Sequence, residues 1–203
     1  MIRRLLLTLS LIAPMLALAP AALAEAPPPV TAADRVLGRA DAPVTVVEYA
    51  SFVCSHCAEW HLGVLPAFKT RFIDTGKVRL VFRDLPTAPA QVASSAAGLA
   101  RCAAPERYFD VVGALMQGQA ALRAEGDTGA WFGAALAASG KTREEIEACL
   151  ALPATMASLR ASIDGATAAG VTGTPSFFVN GKAVEDTSLA GLTAAITPLL
   201  PAH

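Results

Sequence analysis

The chain has 203 residues, with 16 Lys and Arg against 17 Asp and Glu, and 54% of its residues are hydrophobic. This length predicts one domain, or one domain that carries an insertion. The balanced charge leaves no basic face for a phosphate backbone, so the composition argues against nucleic-acid binding, and the apolar content argues against intrinsic disorder.

Residues 1–24 have the pattern of a secretory signal peptide. Two arginines precede an apolar stretch, and the segment ends on Ala22-Leu23-Ala24, the small-x-small pattern that a signal peptidase recognises. Polar residues and a proline interrupt the apolar stretch, which falls short of the roughly 20 residues that a bilayer span needs. We therefore expect cleavage after Ala24 and a mature protein outside the cytoplasm.

Residues 25–35 are rich in Pro and Ala and have no periodicity, so we predict a flexible tether there. The folded domain is expected to occupy residues 36–203. Its first elements are a buried strand at Val44–Tyr49, a helical stretch that continues to about Ile73, and an alternating strand at Lys77–Phe82. This order predicts a βαβ unit at the start of the domain.

The middle of the chain, from about 89 to 169, is predicted to be helical and to form an insertion in the domain. Within it, Thr142 and Glu145 have the spacing of a capping box. Two strands, Ser176–Val179 and Lys182–Val184, follow the insertion and are joined by Asn-Gly, the preferred residues of a type I′ turn. A last helix follows this hairpin. The order of elements therefore predicts an α/β fold with a small sheet and a helical insertion.

The candidate chemistry lies in Cys54-Ser55-His56-Cys57, at the junction of the first strand and the first helix. The free N–H groups and the positive dipole end of a helix N-terminus favour a thiolate, which makes Cys54 the predicted nucleophile. Cys57 is then the resolving thiol, and a partly cationic His56 would lower the pKa of Cys54 further. A stabilised thiolate makes the disulfide form a stronger oxidant. A structural disulfide and half of a zinc site are the alternatives for such a motif.

A second candidate site is Thr174-Pro175, immediately before the terminal hairpin. A proline is awkward at the start of a strand unless its peptide bond is cis, and a cis bond would expose the backbone of Thr174 as an edge. Such an edge beside Cys54 could pair with an extended substrate segment that contains a cysteine. We therefore assign Thr174 and Pro175 to substrate binding.

Together these motifs resemble the thioredoxin superfamily and, within it, the DsbA-like periplasmic thiol:disulfide oxidoreductases. The resemblance extends from about Val36 to Leu200. Besides the cysteine and proline motifs, it rests on Val36–Gly38 with Ala42–Val44, on Val47–Phe52, on Val81–Pro86 and on Phe177–Gly181.

This resemblance implies a thioredoxin fold with an inserted helical domain, a periplasmic location and no cofactor beyond the disulfide within the chain. It implies the same roles for Cys54, for His56 and for the loop of Thr174 and Pro175. It further implies that the partners are reduced or unfolded secreted proteins and a quinone-linked membrane protein of the DsbB type that reoxidises the enzyme. Ser55 departs from the Pro of the best-known members, which leaves the strength of the oxidant open.

The resemblance also places Glu48, six residues before Cys54, at the position of a semi-buried acid beneath the active-site disulfide. A carboxylate there could help to move the proton of Cys57, although its charge would oppose thiolate formation. The alternative is a strand-end glutamate that faces water. His61 falls on the same helical face as the two cysteines, where the three could ligate a soft metal, but an exposed surface histidine is the favoured interpretation.

The other two cysteines, Cys102 and Cys149, both lie in the helical insertion. In an oxidising compartment, an even number of cysteines beyond the active pair predicts a structural disulfide. The alternative is an electron relay that passes oxidising equivalents to Cys54.

We predict a monomeric enzyme that donates the Cys54–Cys57 disulfide to reduced cysteines of secreted proteins. The same site run in reverse would make a disulfide reductase or isomerase, although the region before Val36 is too short for the dimerisation domain that isomerases of this superfamily carry. A client-specific assembly factor is a further alternative. A copper(I)-binding periplasmic protein that uses Cys54, Cys57 and His61 is the alternative from a different functional class.

Overall fold

The computed structural model describes residues 26–201. Its sheet has five strands: β1 (Arg35–Leu37), β2 (Val44–Ala50), β3 (Val78–Asp84), β4 (Ser176–Val179) and β5 (Lys182–Val184). Their order in the sheet is β1-β3-β2-β4-β5. β2 and β3 run parallel, and the other neighbours are antiparallel. The predicted signal peptide and its cleavage site after Ala24 lie outside the described residues.

Eight α-helices occur in the part of the chain that the structure describes. They are α1 (Ser55–Gly63), α2 (Leu65–Phe68), α3 (Ala90–Cys102), α4 (Tyr108–Glu125), α5 (Thr128–Ala138), α6 (Arg143–Leu150), α7 (Pro153–Ala168) and α8 (Leu189–Ile196). A π-helical segment, Lys69–Ile73, follows α2, and short 3₁₀ segments occupy Pro105–Arg107 and Thr197–Leu199. Because α1 and α2 connect the parallel strands β2 and β3, the predicted βαβ unit is confirmed. Helices α3 to α7 separate β3 from β4, and we call them the helical lobe.

The side chains of β2 alternate between the two faces of the sheet, as a pleated strand requires. Val46 packs in a cluster with Trp60 of α1 and with residues of α8. Val47 and Tyr49 pack on the opposite face, where α7 covers the sheet. Glu48 shares the face of Val46 by this alternation and is fully buried. The register of β2 therefore places a carboxylate beneath α1, in an otherwise apolar layer.

The helical lobe has a hydrophobic core that continues into the end of the sheet where α1 begins. Phe52 and Cys57 belong to the same buried cluster as Tyr108 and Leu115 of α4. Within residues 26–201, no single helix is long and apolar enough to cross a membrane, and the bent pair of α6 and α7 meets that requirement only when the two are taken together.

Two local predictions are confirmed in detail. Asn180 and Gly181 both have positive φ angles, 45° and 83°, as a type I′ turn requires. The Thr142 side chain accepts a hydrogen bond from the Glu145 N–H at 3.2 Å, and the Glu145 carboxylate accepts one from the Thr142 N–H at 2.8 Å. The hairpin and the start of α6 are therefore specified by local chemistry.

The segment before β1 differs from the flexible tether predicted for residues 25–35. The Arg83 guanidinium donates to the carbonyl oxygens of Pro28 and Pro29 at 2.9 and 3.1 Å and pairs with Asp34 at 2.8 Å. The chain then forms β1, which pairs with the edge of β3. β1 has only three residues and is too short to show a periodic pattern in the sequence. From Pro28 onward this segment is thus docked on the domain.

Candidate active site

Cys54 lies where the chain leaves β2 and enters α1. Its N–H donates to the Ser51 carbonyl oxygen at 3.2 Å, and its own carbonyl oxygen accepts from the Ala58 N–H at 3.2 Å. Cys54 is therefore the N-cap residue of α1, with extended backbone angles. At this position the thiol lies close to the first N–H groups of the helix, which have no partner within the helix.

Both cysteines of the motif are free in the structure, and Cys54 is partly exposed. The pKa of Cys54 is lowered from 9.0 to about 5, mainly because the Cys57 thiol donates a hydrogen bond to the sulfur. Burial opposes this shift, whereas the Thr174 side chain and the N–H groups of Cys57 and His56 support it. The thiol of Cys54 can donate to the Thr174 carbonyl oxygen, 3.2 Å away, a contact that favours the protonated form. The donors to the sulfur outweigh this contact, so Cys54 is a thiolate at neutral pH.

Cys57 has the opposite properties. It is fully buried, and its pKa is raised well above its ordinary value because its proton is held in the hydrogen bond to Cys54. Burial and the negative charge of Glu48 raise the pKa of Cys57 further. One sulfur is thus partly exposed and charged while the other is enclosed and neutral. This asymmetry is what an attacking cysteine and a shielded resolving cysteine need.

The loop between α7 and β4 brings Thr174 beside Cys54, although the two residues are 120 positions apart. The Thr174–Pro175 peptide bond is cis. Both residues are partly exposed, so a peptide in contact with the Cys54 sulfur would also meet this loop. The two segments that the sequence assigned to catalysis and to substrate binding therefore meet at one place on the surface.

An open groove of about 610 Å³ extends from this place. It is lined by His56, Glu59, Trp60, Val64, Thr174, Pro175 and Glu185–Ser188. The side chain of His56 is exposed, and its backbone N–H is one of the groups that lower the pKa of Cys54. A contribution of the His56 imidazole to that shift stays a prediction. The groove has room for an extended polypeptide segment whose cysteine reaches Cys54.

Glu48 and His61 form a buried pair beneath the cysteines. The Nε2 atom of His61 lies 3.0 Å from both carboxylate oxygens of Glu48. The interpretation of His61 as an exposed surface histidine was wrong, because its side chain is only 3% exposed and Glu48 fills the space in front of its ring nitrogen. A water-facing Glu48 is excluded in the same way. Sequence spacing could not reveal this contact, since it joins a strand to a helix across the sheet face.

The alternative in which Cys54, Cys57 and His61 bind copper(I) has no support in this geometry. The Nε2 atom of His61 is used by Glu48. Within residues 26–201, no group of three or more His, Cys, Asp or Glu side chains is arranged to hold a metal ion.

Cys102 and Cys149 form a disulfide between the end of α3 and α6. The predicted bond is therefore present. The bond lies in a packed part of the helical lobe. Cys102 is buried, and the Thr155 hydroxyl of α7 donates to the Cys149 carbonyl oxygen at 2.7 Å. The bond thus joins α3 and α6 at a point where α7 also packs.

A buried ion pair that the sequence analysis did not find connects the helical lobe to the sheet. Arg101 of α3 lies 2.6 Å from the carboxylate of Asp84, the last residue of β3. Burial raises the pKa of Asp84, and Arg101 acts in the opposite direction. A Phe-Arg-Asp run at a strand end was visible in the sequence, but its partner in a distant helix was not.

The fold agrees with what is found in known proteins. A family model described as thioredoxin matches residues 31–197. The chain is 33% identical over 175 residues to a protein from Rickettsia bellii that is named as a protein-disulfide oxidoreductase. The match covers 80% of this chain and 63% of the relative, so the chain spans about six tenths of that protein's length.

Solved structures show the same fold. The chain superposes on Wolbachia pipientis alpha-DsbA1 with a TM-score of 0.73 and 26% identity, over 84% of this chain and 92% of the other. It superposes on oxidised BdbD from Bacillus subtilis with a TM-score of 0.75 over 87% of this chain and 97% of the other, where the 22% identity supports the fold alone. The predicted fold, a thioredoxin fold with an inserted helical domain, is therefore confirmed.

Proposed function

Because this chain belongs to the DsbA-like branch of the thioredoxin superfamily, we propose that it is a thiol:disulfide oxidoreductase that oxidises cysteines of secreted proteins. The observation that carries the proposal is the difference between its two active cysteines. The pKa of Cys54 is lowered to about 5, whereas that of Cys57 is raised. Such a difference stabilises the reduced pair, and this makes the disulfide between them an oxidant.

The reaction follows from the positions of the two sulfurs. A substrate thiolate attacks the Cys54 sulfur of the disulfide, a bond forms between those two sulfurs, and the Cys57 sulfur leaves with the electron pair of the broken S–S bond and takes up one proton. A second substrate thiolate then attacks the substrate's own sulfur in the mixed disulfide, and Cys54 leaves as a thiolate. The substrate loses two electrons, and the enzyme gains two.

The loop of Thr174 and Pro175 binds the substrate segment in this proposal. The groove of about 610 Å³ beside it accommodates the residues that flank the substrate cysteine. Main-chain pairing with an extended segment gives affinity with little dependence on sequence. This suits an enzyme that meets many unfolded clients. The reaction needs no cofactor other than the Cys54–Cys57 disulfide.

The reduced enzyme requires reoxidation, and we assign this step to a quinone-linked membrane protein of the DsbB type. The proposed location is the periplasm, and the proposed state is a monomer. Cleavage after Ala24 would give a mature protein that begins at Glu25, which N-terminal sequencing of the exported protein tests directly.

A client assay tests the proposed activity. The substrate is a fully reduced, unfolded secreted protein with several cysteines, and a catalytic amount of the oxidised protein is added together with oxidised glutathione. We expect faster disulfide formation than in glutathione alone and no acceleration with Cys54→Ser. The matched control is the double variant Cys102→Ser, Cys149→Ser, assayed at a temperature at which it stays folded, which removes two cysteines away from the site. Equal rates with and without the protein would refute the proposal.

The same assay separates an oxidase from an isomerase. When the client carries mispaired disulfides instead of free thiols, an isomerase accelerates their rearrangement. We expect the reduced client to be the better substrate. A client-specific factor would differ from both, since it would leave unrelated reduced proteins unchanged.

A further inference from the structure

His61 has no part in the proposed thiol–disulfide exchange, although it is the buried hydrogen-bond partner of the acid beneath the cysteines. It lies four residues after Cys57 on α1, in the last turn of that helix. Both hydrogen bonds that the structure gives for the Glu48 carboxylate join it to Nε2 of His61, at 3.0 Å. Trp60 and Phe82 enclose the imidazole edge-on, with ring centroids 5.3 and 5.8 Å away. Two titratable side chains are thus removed from water and held against each other.

Physical chemistry favours this pair over either group alone. An unpaired carboxylate in an apolar layer costs several kcal/mol, and an imidazolium beside it removes much of that cost. The last turn of a helix carries partial negative charge, which favours a cation at His61. The first turn of the same helix favours an anion at Cys54. The dipole of α1 therefore acts with opposite sign on Cys54 and on His61.

The reaction requires a proton inside the protein. When the disulfide opens, the Cys57 sulfur leaves as an anion, although this sulfur is fully buried and strongly prefers its proton. Solvent does not reach it directly. Cys57 and His61 are four residues apart on α1, which places them on neighbouring turns of one helix face, and the charge of Glu48 acts on Cys57. The pair of Glu48 and His61 is therefore within electrostatic reach of the leaving sulfur.

We propose that His61 is a positioning residue for Glu48: its Nε2 atom, 3.0 Å from both carboxylate oxygens, holds the acid where it can exchange a proton with the Cys57 sulfur as the disulfide opens and re-forms. In the opening step, one proton passes from the pair to the Cys57 sulfur, while the electron pair of the S–S bond stays on that sulfur. The pair later recovers its proton from solvent. This inference rests on the proposed thiol–disulfide exchange and assigns a role within it.

Other charged groups around the pair have to be considered in any pH experiment. Cys57 on α1 and Tyr108 on α4 both experience the charge of Glu48. Behind Tyr108 lie Asp84 of β3, Arg101 of α3 and Arg35 of β1, whose charges act on its phenol. Because Asp84 and Arg101 are paired with each other, they form a background common to all variants at His61.

The test is a single-turnover experiment with the full-length oxidised protein and a short peptide that carries two thiols, between pH 5 and pH 8. His61→Gln keeps an N–H donor close to the position of Nε2 but cannot carry a proton. We expect it to react on the order of 10-fold more slowly at pH 7 and to change the shape of the pH profile. Glu48→Gln, which removes the acid itself, should cost on the order of 100-fold, the low end of what general acid catalysis contributes.

The double variant distinguishes this role from a merely structural one. If His61 acts through Glu48, then His61→Gln adds no further loss to Glu48→Gln. Phe82→Leu is the packing control, because it alters an aromatic contact of the same imidazole ring and leaves its contact with Glu48 in place. We expect it to leave the shape of the pH profile unchanged. Independent, multiplying effects of His61→Gln and Glu48→Gln would overturn the inference, as would a His61→Gln profile that superposes on that of the wild type.

The outcomes also separate this inference from the function on which it rests. A wild-type protein that fails to react with the dithiol peptide refutes the proposed function. A reactive wild type whose His61→Gln variant is unchanged refutes the role of His61 alone.

Discussion

The two cysteine pairs of this protein have similar covalent chemistry and opposite surroundings. Cys54 and Cys57 lie three residues apart at the start of a helix, with one sulfur partly exposed and the other buried. Cys102 and Cys149 lie 47 residues apart, are bonded to each other, and hold two helices of the lobe together. Unequal environments make the first pair reactive. The second pair closes a long loop, which is the arrangement that stabilises a fold.

This comparison shows that position in the fold, more than sequence spacing, separates a redox site from a structural bond. The first pair lies beside a helix N-terminus, the Thr174 loop and a buried acid–histidine pair. The second pair has a neighbouring threonine and the packing of three helices. Changes to either pair should alter this difference in measurable ways.

The largest effect is expected from Cys57→Ser. The variant cannot form the Cys54–Cys57 disulfide, so oxidation of reduced clients should be lost. When it is mixed with a client whose cysteines are disulfide-bonded, the Cys54 thiolate attacks that bond, a Cys54–client disulfide forms, and the client's other sulfur leaves as a thiolate. Without the Cys57 thiol to release Cys54, this mixed disulfide should accumulate. Non-reducing electrophoresis followed by mass spectrometry would detect the trapped adduct. The companion variant Cys54→Ser should form none; adducts of equal yield in the two variants would show that Cys54 is not the attacking residue.

A change of pH should alter what the first pair contributes to the stability of the fold, whereas the contribution of the second pair should stay the same. The pKa of Cys54 is lowered in the folded reduced protein from 9.0 to about 5. The thiolate therefore stabilises the folded state fully above pH 9, and this stabilisation declines as the pH falls towards 5 and is absent below it.

Urea unfolding of the reduced Cys54–Cys57 form between pH 5 and pH 8 measures this effect against Cys54→Ser. The advantage of the wild type in free energy of unfolding should grow with pH over this window, in which Cys57 stays mostly protonated in both the folded and the unfolded state. A difference that is constant from pH 5 to pH 8 would contradict the lowered pKa of Cys54. Cys102 and Cys149 stay bonded throughout and do not titrate.

Removal of the second pair should lower stability without removing the chemistry. Cys102→Ala with Cys149→Ala opens a loop of 47 residues, which corresponds to about 4 kcal/mol in the chain-entropy account of disulfides. Denaturant unfolding with both active cysteines oxidised would measure the loss. The rate of reaction with a dithiol peptide should stay close to that of the wild type at a temperature at which the variant is folded. A large fall in that rate would favour the relay of oxidising equivalents.

The smallest effect is expected from Thr142→Ala, at the start of α6, the helix that carries Cys149. This change removes the side-chain acceptor of the capping box, and the expected loss in the free energy of unfolding is about 1 kcal/mol. Lys141→Ala is a control on the same turn, because its exposed ion pair with Glu145 contributes little. Equal losses for the two variants would show that the cap does not set the stability of this end of the lobe.

Much of the fold follows from local signals. Three features were predicted from residues that are adjacent in the sequence, and each appears in the structure: the buried strand β2, the Asn180-Gly181 turn and the Thr142 capping box. The resemblance to thioredoxin-like enzymes supplied the connection between these parts. β1 was missed because three residues have no detectable period. The docking of the segment before it was missed because it depends on Arg83, which is distant in sequence.

The site was predictable only where the residues are adjacent or belong to a familiar motif. Cys54, Cys57, Thr174 and Pro175 could be assigned in this way. The contact of Glu48 with His61 could not, since it requires the register of β2 and the rotation of α1 to be known together. The same holds for the pairing of Asp84 with Arg101. Long-range polar contacts of this kind leave no periodic signal in a single sequence.

The reduction potential of the Cys54–Cys57 pair, measured in glutathione buffers with the Cys102–Cys149 bond intact, decides whether this protein donates its disulfide. A stabilised Cys54 thiolate should place it well above the value of thioredoxin, about −270 mV, and towards that of strong periplasmic oxidants, about −120 mV. A potential at or below the thioredoxin value would contradict the claim that this protein donates its disulfide, and would favour a reductase.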